Sequence, residues 1–211
     1  MSSELASGLI GALIGGLFTL WGTLIDGRRQ ERALDHEAKD KQKSVLVGIK
    51  AEIETLLELY KKRIYDSLEE YEGGKPFENI FPLTQNYFSF YESNSFALTS
   101  INENTMKSIV ICYGSARSLV DTFRMNNQIL EDLSKLQTIY HDTQKDIHRF
   151  NFEQTFHIAT KYGEGLKQIH SEVMSRITLC LESIDDNLAD LEKTEQLTKL
   201  RKILKTLAFI K

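Results

Sequence analysis

Five histidines, two cysteines and a run of aspartates are the side chains with which this sequence could do chemistry. The histidines are His36, His141, His148, His157 and His170. His141-Asp142 with Asp146 and His148 is the one local cluster of possible metal ligands or acid–base groups. A helical metal pair needs two histidines one turn apart on the same face, and no His-x-x-x-His spacing occurs, so no metal site is expected. Cys112 and Cys180 are isolated within helical patterns and read as buried, reduced thiols, not as a disulfide framework. Asp185, Asp186 and Asp190 fall on the polar side of a helix and read as a solvated face. There is no phosphate-cradling glycine loop, no Gly-x-Ser-x-Gly turn and no Cys-x-x-Cys pair. No catalytic residue, cofactor or metal is assigned, and the chain does not read as an enzyme.

The elements that would position any such group begin with an unusual one. Between Glu4 and Asp26 lie 21 uncharged residues, of which ten are Leu, Ile or Phe and five are Gly. As a helix they span about 31 Å, the thickness of a hydrocarbon core. A cleaved signal peptide would have a basic start, a shorter apolar run and a small-residue cleavage site. Here the start is acidic and Asp26-Gly27-Arg28-Arg29 follows directly. The stretch is therefore expected to be a transmembrane helix, with a removed signal or a buried helix as alternatives. Basic residues occur only after it (Arg28, Arg29, Arg32, Lys39, Lys41 and Lys43), which places the amino terminus outside and the rest in the cytoplasm. At about 100° per residue, Gly8, Gly11, Ala12, Gly15, Gly16, Thr19 and Gly22 share one face. Helices in lipid associate by close packing, which small residues permit, so this face is expected to bind copies of itself, a packing surface for another helix being the alternative.

The net charge of −4 over 211 residues gives no global drive towards nucleic acid. Only two prolines occur, Pro76 and Pro82, which suits a helical chain. Residues 1–26 are read as the membrane helix and 27–44 as a charged helical stalk or a flexible linker. Residues 45–211 are read as a cytosolic antiparallel helical bundle. Within it Leu46, Ile49, Ile53, Leu56, Tyr60, Ile64, Leu68 and Tyr71 step by three and four up to Gly73-Gly74, as one face of a helix does. Residues 73–100 hold Phe77, Phe81, Tyr87, Phe88, Phe90, Tyr91 and Phe96, and read as an aromatic strap closing the end of the bundle. Phe88, Tyr91 and Phe96 are expected to be buried. Ser100-Ile-Asn-Glu103 reads as a capping box opening a helix that Asn126-Asn127 bends or ends near Leu130. A further helix runs from about Ile147 to Leu191, with Gly163 and Gly165 as kink points. A basic amphipathic helix over 194–210 completes the chain. Its Leu197, Leu200, Leu204 and Leu207 either pack on the bundle or meet anionic lipid, with Lys199, Arg201, Lys202 and Lys205 as lipid contacts.

The glycine-rich span, the charged stalk, the "AEIE" helix, the "NYFSFYESN" segment and "IVICYGSARSLVDTFRMNN" together resemble small bacterial single-span membrane proteins of mobile-element and phage-defence genes. The layout is similar to the membrane-anchored accessory proteins of RNA-targeting CRISPR systems, whose cytosolic part is a HEPN-like bundle and which assemble into membrane pores. The resemblance implies an oligomeric inner-membrane effector without cofactor. HEPN ribonucleases carry Arg, four to six residues, then His. Arg149 to His157 and Arg28 to His36 have seven intervening residues and Arg32 to His36 has three, so the resemblance implies a form that does not cut RNA. Two readings result. One is a self-assembling effector that permeabilises the membrane. The other is a membrane-tethered module that holds an unidentified cytosolic partner or trigger. A ribonuclease with an unrecognised site is a third. The partners expected are the chain itself and the lipid bilayer, with no nucleic acid.

Overall fold

The computed structural model describes the backbone of residues 2–82 and 87–208, and the side chains of 19–82, 87–201 and 203. It is all-α, with no strand among the described residues. Helix α1 spans Ser2–Tyr60 and passes through a π turn, Lys61–Tyr65, into the short α2, Asp66–Glu69. Helix α3, Ser89–Asn94, runs into a 3-10 turn, Ser95–Ser100. The two long helices α4, Glu103–Thr143, and α5, Asp146–Ala208, complete the order.

The chain divides into residues 1–44 and 45–211. In the first unit the backbone is helical from Ser2, through the stretch expected to be a stalk or linker. Lys39 pairs with Asp35 at 2.8 Å, one turn apart. No helix among the described residues is long and apolar enough to cross a membrane. Of the expected span over 5–25, the side chains of 5–18 lie outside the described residues.

The second unit holds the core. In α1, Leu46, Ile49, Ile53 and Tyr60 are buried, with Ile64 and Leu68 continuing the stripe beyond the helix. In α5, Ala159, Leu166, Val173 and Cys180 recur every seventh residue and are buried, the seam of a packed helix pair. Helices α4 and α5 form an antiparallel hairpin. Thr105 accepts from Asn187 and donates to the Ser183 carbonyl, while Phe123 shares a cluster with Leu166 and Val173. The hairpin turns on Gln144, whose left-handed φ of 53° closes α4 through its N–H to the Tyr140 carbonyl.

Direction is where the structure departs from the expected antiparallel bundle. Glu52 meets Tyr113 and Tyr60 meets Phe123, so α1 and α4 run parallel, while Lys50–Asp185 and Tyr60–His170 set α5 opposite to both. Joining two parallel helices requires a return crossing, and residues 70–102 make it. Asn126 donates to the Phe77 carbonyl at 3.0 Å, Asn127 to that of Phe81 at 2.8 Å, and Phe88 lies edge-on to Tyr113. Between Phe81 and Phe88 the α4 partner number falls from 127 to 113. The aromatic segment therefore runs along the bundle and does not close its end.

Several boundaries are corrected with it. Asn102, not Ser100, caps α4, its side chain accepting from the Asn104 N–H. Asn126 and Asn127 do not end α4, which continues to Thr143, and their amides bind the strap. Helix α5 passes through Gly163 and Gly165 and on past Thr194, so the expected separate helix over 194–210 is the last part of α5 as far as Ala208. Gly163 answers a packing need: a Cβ there would overlap the Tyr71 hydroxyl. Gly48 does the same for the strap, since a Cβ would strike the Phe90 ring.

Candidate functional site

The histidine–aspartate cluster lies at the α4–α5 turn. His141 approaches Asp142 at 3.4 Å, with both side chains mostly in solvent. Nothing encloses these groups. Among the described residues, no three His, Cys, Asp or Glu side chains converge as a metal site would require.

The residue that sequence reading passed over is His170. It lies in α5 between Leu166 and Val173, at a core step of the seventh-residue seam, and is fully buried. That register was the available signal. Its Nδ1 lies 2.7 Å from the Tyr60 hydroxyl and its Nε2 2.8 Å from Glu69 Oε1. The hydrogen bond from His170, and behind it the nearby Lys167 charge and Tyr65 hydroxyl, hold the Glu69 carboxyl below its ordinary range. An ionised carboxylate only accepts, so Nε2 carries the proton, and in the neutral ring Nδ1 accepts from the Tyr60 O–H. Tyr60 precedes the π turn and Glu69 ends α2. Lys167 donates to the Leu68 and Glu69 carbonyls at 2.7 and 2.6 Å, closing the end of that helix. The order hydroxyl–imidazole–carboxylate is that of a nucleophile relay. Here, however, burial pushes the Tyr60 hydroxyl well above its ordinary value, and the ring is 9 % exposed. The relay is closed. It locks the π turn to α5.

A second polar centre pins the strap. Glu52 accepts from the Phe90 N–H at 2.7 Å, the Tyr91 N–H at 3.1 Å and the Tyr113 hydroxyl at 2.7 Å. Burial and the neighbouring carboxylate push the Tyr113 hydroxyl upwards. Tyr91 stacks on Tyr113 with centroids 4.0 Å apart, and Arg117 lies over the Phe88 and Tyr91 rings. Phe88 is buried as expected, whereas Tyr91 is only half-buried and Phe96 is 91 % exposed. Phe96 stands on the 3-10 turn, where Leu98, and Ile101 just after the turn, take the inward positions.

Cys112 and Cys180 are buried free thiols, and they are not isolated from one another. They share one core cluster, and interaction with Cys180 together with burial pushes the Cys112 thiol upwards.

Between the two core clusters an apolar pocket of about 90 Å³ remains, walled by α1, the strap, α4 and α5. Arg63 of the π turn is its charged lining residue.

No family model, curated protein or solved structure matches this chain.

Of the small-residue face, Thr19 and Gly22 are exposed, and nothing lies within 4 Å of where a Gly22 Cβ would stand. The side-chain positions of Gly8, Gly11, Ala12, Gly15 and Gly16 lie outside the described residues. In the tail, Lys199 and Arg201 are exposed, with Lys199 3.7 Å from Glu195. Lys202 and Lys205 lie outside the described side chains, as do Leu204 and Leu207. Leu197, Leu200 and Ile203 are all more than half exposed, so this part of the apolar face does not pack on the bundle.

Proposed function

We propose that this chain is an oligomeric effector of the bacterial inner membrane, anchored by residues 5–25, that perturbs or permeabilises the bilayer in phage defence. One observation carries the anchor. Leu20, Trp21, Leu24 and Ile25 are between 49 and 67 % exposed on a regular helix, an arrangement unfavourable in water and favourable in lipid. The polar group among them supports the reading too, since the Thr23 hydroxyl donates to the Thr19 and Leu20 carbonyls of its own helix. In hydrocarbon each polar group must be satisfied internally. Trp21 then stands near the interface, and the exposed Arg28 and Arg29 lie on the cytoplasmic side. Copies meet through Gly8, Gly11, Gly15 and Gly22, and the tail touches anionic lipid through Lys199, Arg201, Lys202 and Lys205. The reading involves no catalytic residue, cofactor or nucleic acid.

The test is membrane association of the full chain. Resistance to alkaline carbonate extraction, with a reporter after Lys211 cytoplasmic and one before Met1 periplasmic, is the expected result. Release by carbonate, or the opposite reporter pattern, would overturn the anchor. A second reading, a tethered interaction module without pore activity, is favoured by Phe96 and by Ile80, which is 66 % exposed on the strap. It predicts oligomers that leave membrane potential unchanged even when triggered.

A further inference from the structure

We propose that the pocket between the two cores binds a medium-chain carboxylate, with its aliphatic tail inside and its anionic head on Arg63. The pocket lies where the upper core, built on Ile53 and Tyr113, gives way to the lower one, built on Tyr60 and Phe123. Ala116 supplies a small side chain on the α4 wall, opposite Ile177 of α5, which packs against both cores.

Protein interiors are normally filled to crystal density, and an unfilled void costs stability. The about 90 Å³ here is smaller than the ~150 Å³ apolar cavity known to hold benzene. At that size it holds the terminal methylenes of a chain, and the rest of the tail lies along its open mouth towards Arg63. Its lining is almost wholly apolar, and the Tyr60 hydroxyl on its wall is already engaged by His170. The interior therefore offers a tail no free hydrogen-bonding group.

The rim has the opposite character. Arg63 is exposed and has no ion pair or hydrogen bond among the described residues. It follows Lys61 and Lys62 in the π turn, both also exposed, and of the three it is the one that lines the pocket. An unpaired guanidinium presents a planar fork of donors that matches a carboxylate bidentately. π turns within α-helices occur frequently at functional sites. Apolar depth and a cationic rim together select an amphiphile with one anionic end, and neither property alone would.

Octanoate is the probe, with neutral 1-octanol as its uncharged counterpart. Both are titrated calorimetrically into full-length protein in zwitterionic nanodiscs, with empty discs subtracted. Saturable octanoate binding at least tenfold tighter than that of octanol is expected. Arg63→Gln, a change at an exposed side chain, should weaken octanoate at least tenfold and leave octanol unchanged. Ala116→Leu, which fills the pocket, should weaken both, with helical content checked by circular dichroism. If Ala116→Leu does not fold, the Arg63→Gln result alone decides. Absence of saturable octanoate binding, or binding unaffected by Arg63→Gln, would overturn the proposal.

Discussion

At the scale of single residues, the strongest local claim concerns His170. A buried imidazole with a donor at one nitrogen and a carboxylate at the other is satisfied only while both partners remain. Tyr60→Phe keeps the ring and removes the O–H, leaving Nδ1 buried without a partner. Leaving a buried polar group unsatisfied costs about 1–3 kcal/mol, so urea denaturation should show a loss of that size. A loss below about 0.5 kcal/mol, the scatter of neutral surface changes, would mean that the hydrogen bond contributes nothing. Glu69 gives the pH dependence. Its folded value is depressed below 4.5 by His170, Lys167 and Tyr65. A depressed carboxyl adds stability that is present above its unfolded value and is lost as pH falls through the folded one. The wild type should therefore lose thermal midpoint more steeply than Glu69→Gln as the pH falls below about 4.5. Equal slopes would remove the linkage.

At the scale of elements, the strap makes the sharpest prediction because its aromatic residues divide into two kinds. Phe88 is buried against Tyr113, so Phe88→Ala should cost about 3–5 kcal/mol. Phe96 is exposed, so Phe96→Ala should change stability by no more than about 0.5 kcal/mol. Similar losses at both positions, measured by chemical denaturation, would contradict the described packing. Sequence periodicity could not separate these two rings. It reports which face of a regular helix is buried, and the strap is too irregular to have a face. For the same reason the stripe from Leu46 to Leu68 was legible in advance, whereas the π turn was not. The helix ends at Glu69, ahead of the positive-φ Gly73 and Gly74 expected to stop it. The direction of α4 relative to α1 was not legible either, because a stripe does not name its partner. Asn126 and Asn127 show a further limit. Poor helix formers suggest an end, yet here their amides bind the strap backbone within an unbroken helix.

At the scale of the whole molecule, the anchor and its glycine face carry the functional account. The helical character of residues 2–44 was legible from charge pairs at helical spacing and from the uncharged run. Self-association was inferred from side-chain size alone, which fixes how closely two backbones can approach but not whether they do. Gly15→Leu places bulk where the backbones should nearly touch and keeps the span at least as hydrophobic, so insertion should survive while assembly fails. Leu17→Ala alters the opposite face and should leave assembly intact. Cells carrying the wild type should depolarise on overexpression or when triggered, and those carrying Gly15→Leu should not. The most direct test is the mass of the full-length protein in mild detergent, measured for the wild type beside Gly15→Leu. The account predicts a large assembly for the wild type and a monomer for Gly15→Leu. A monomeric wild type, or an assembly that survives Gly15→Leu, would contradict it.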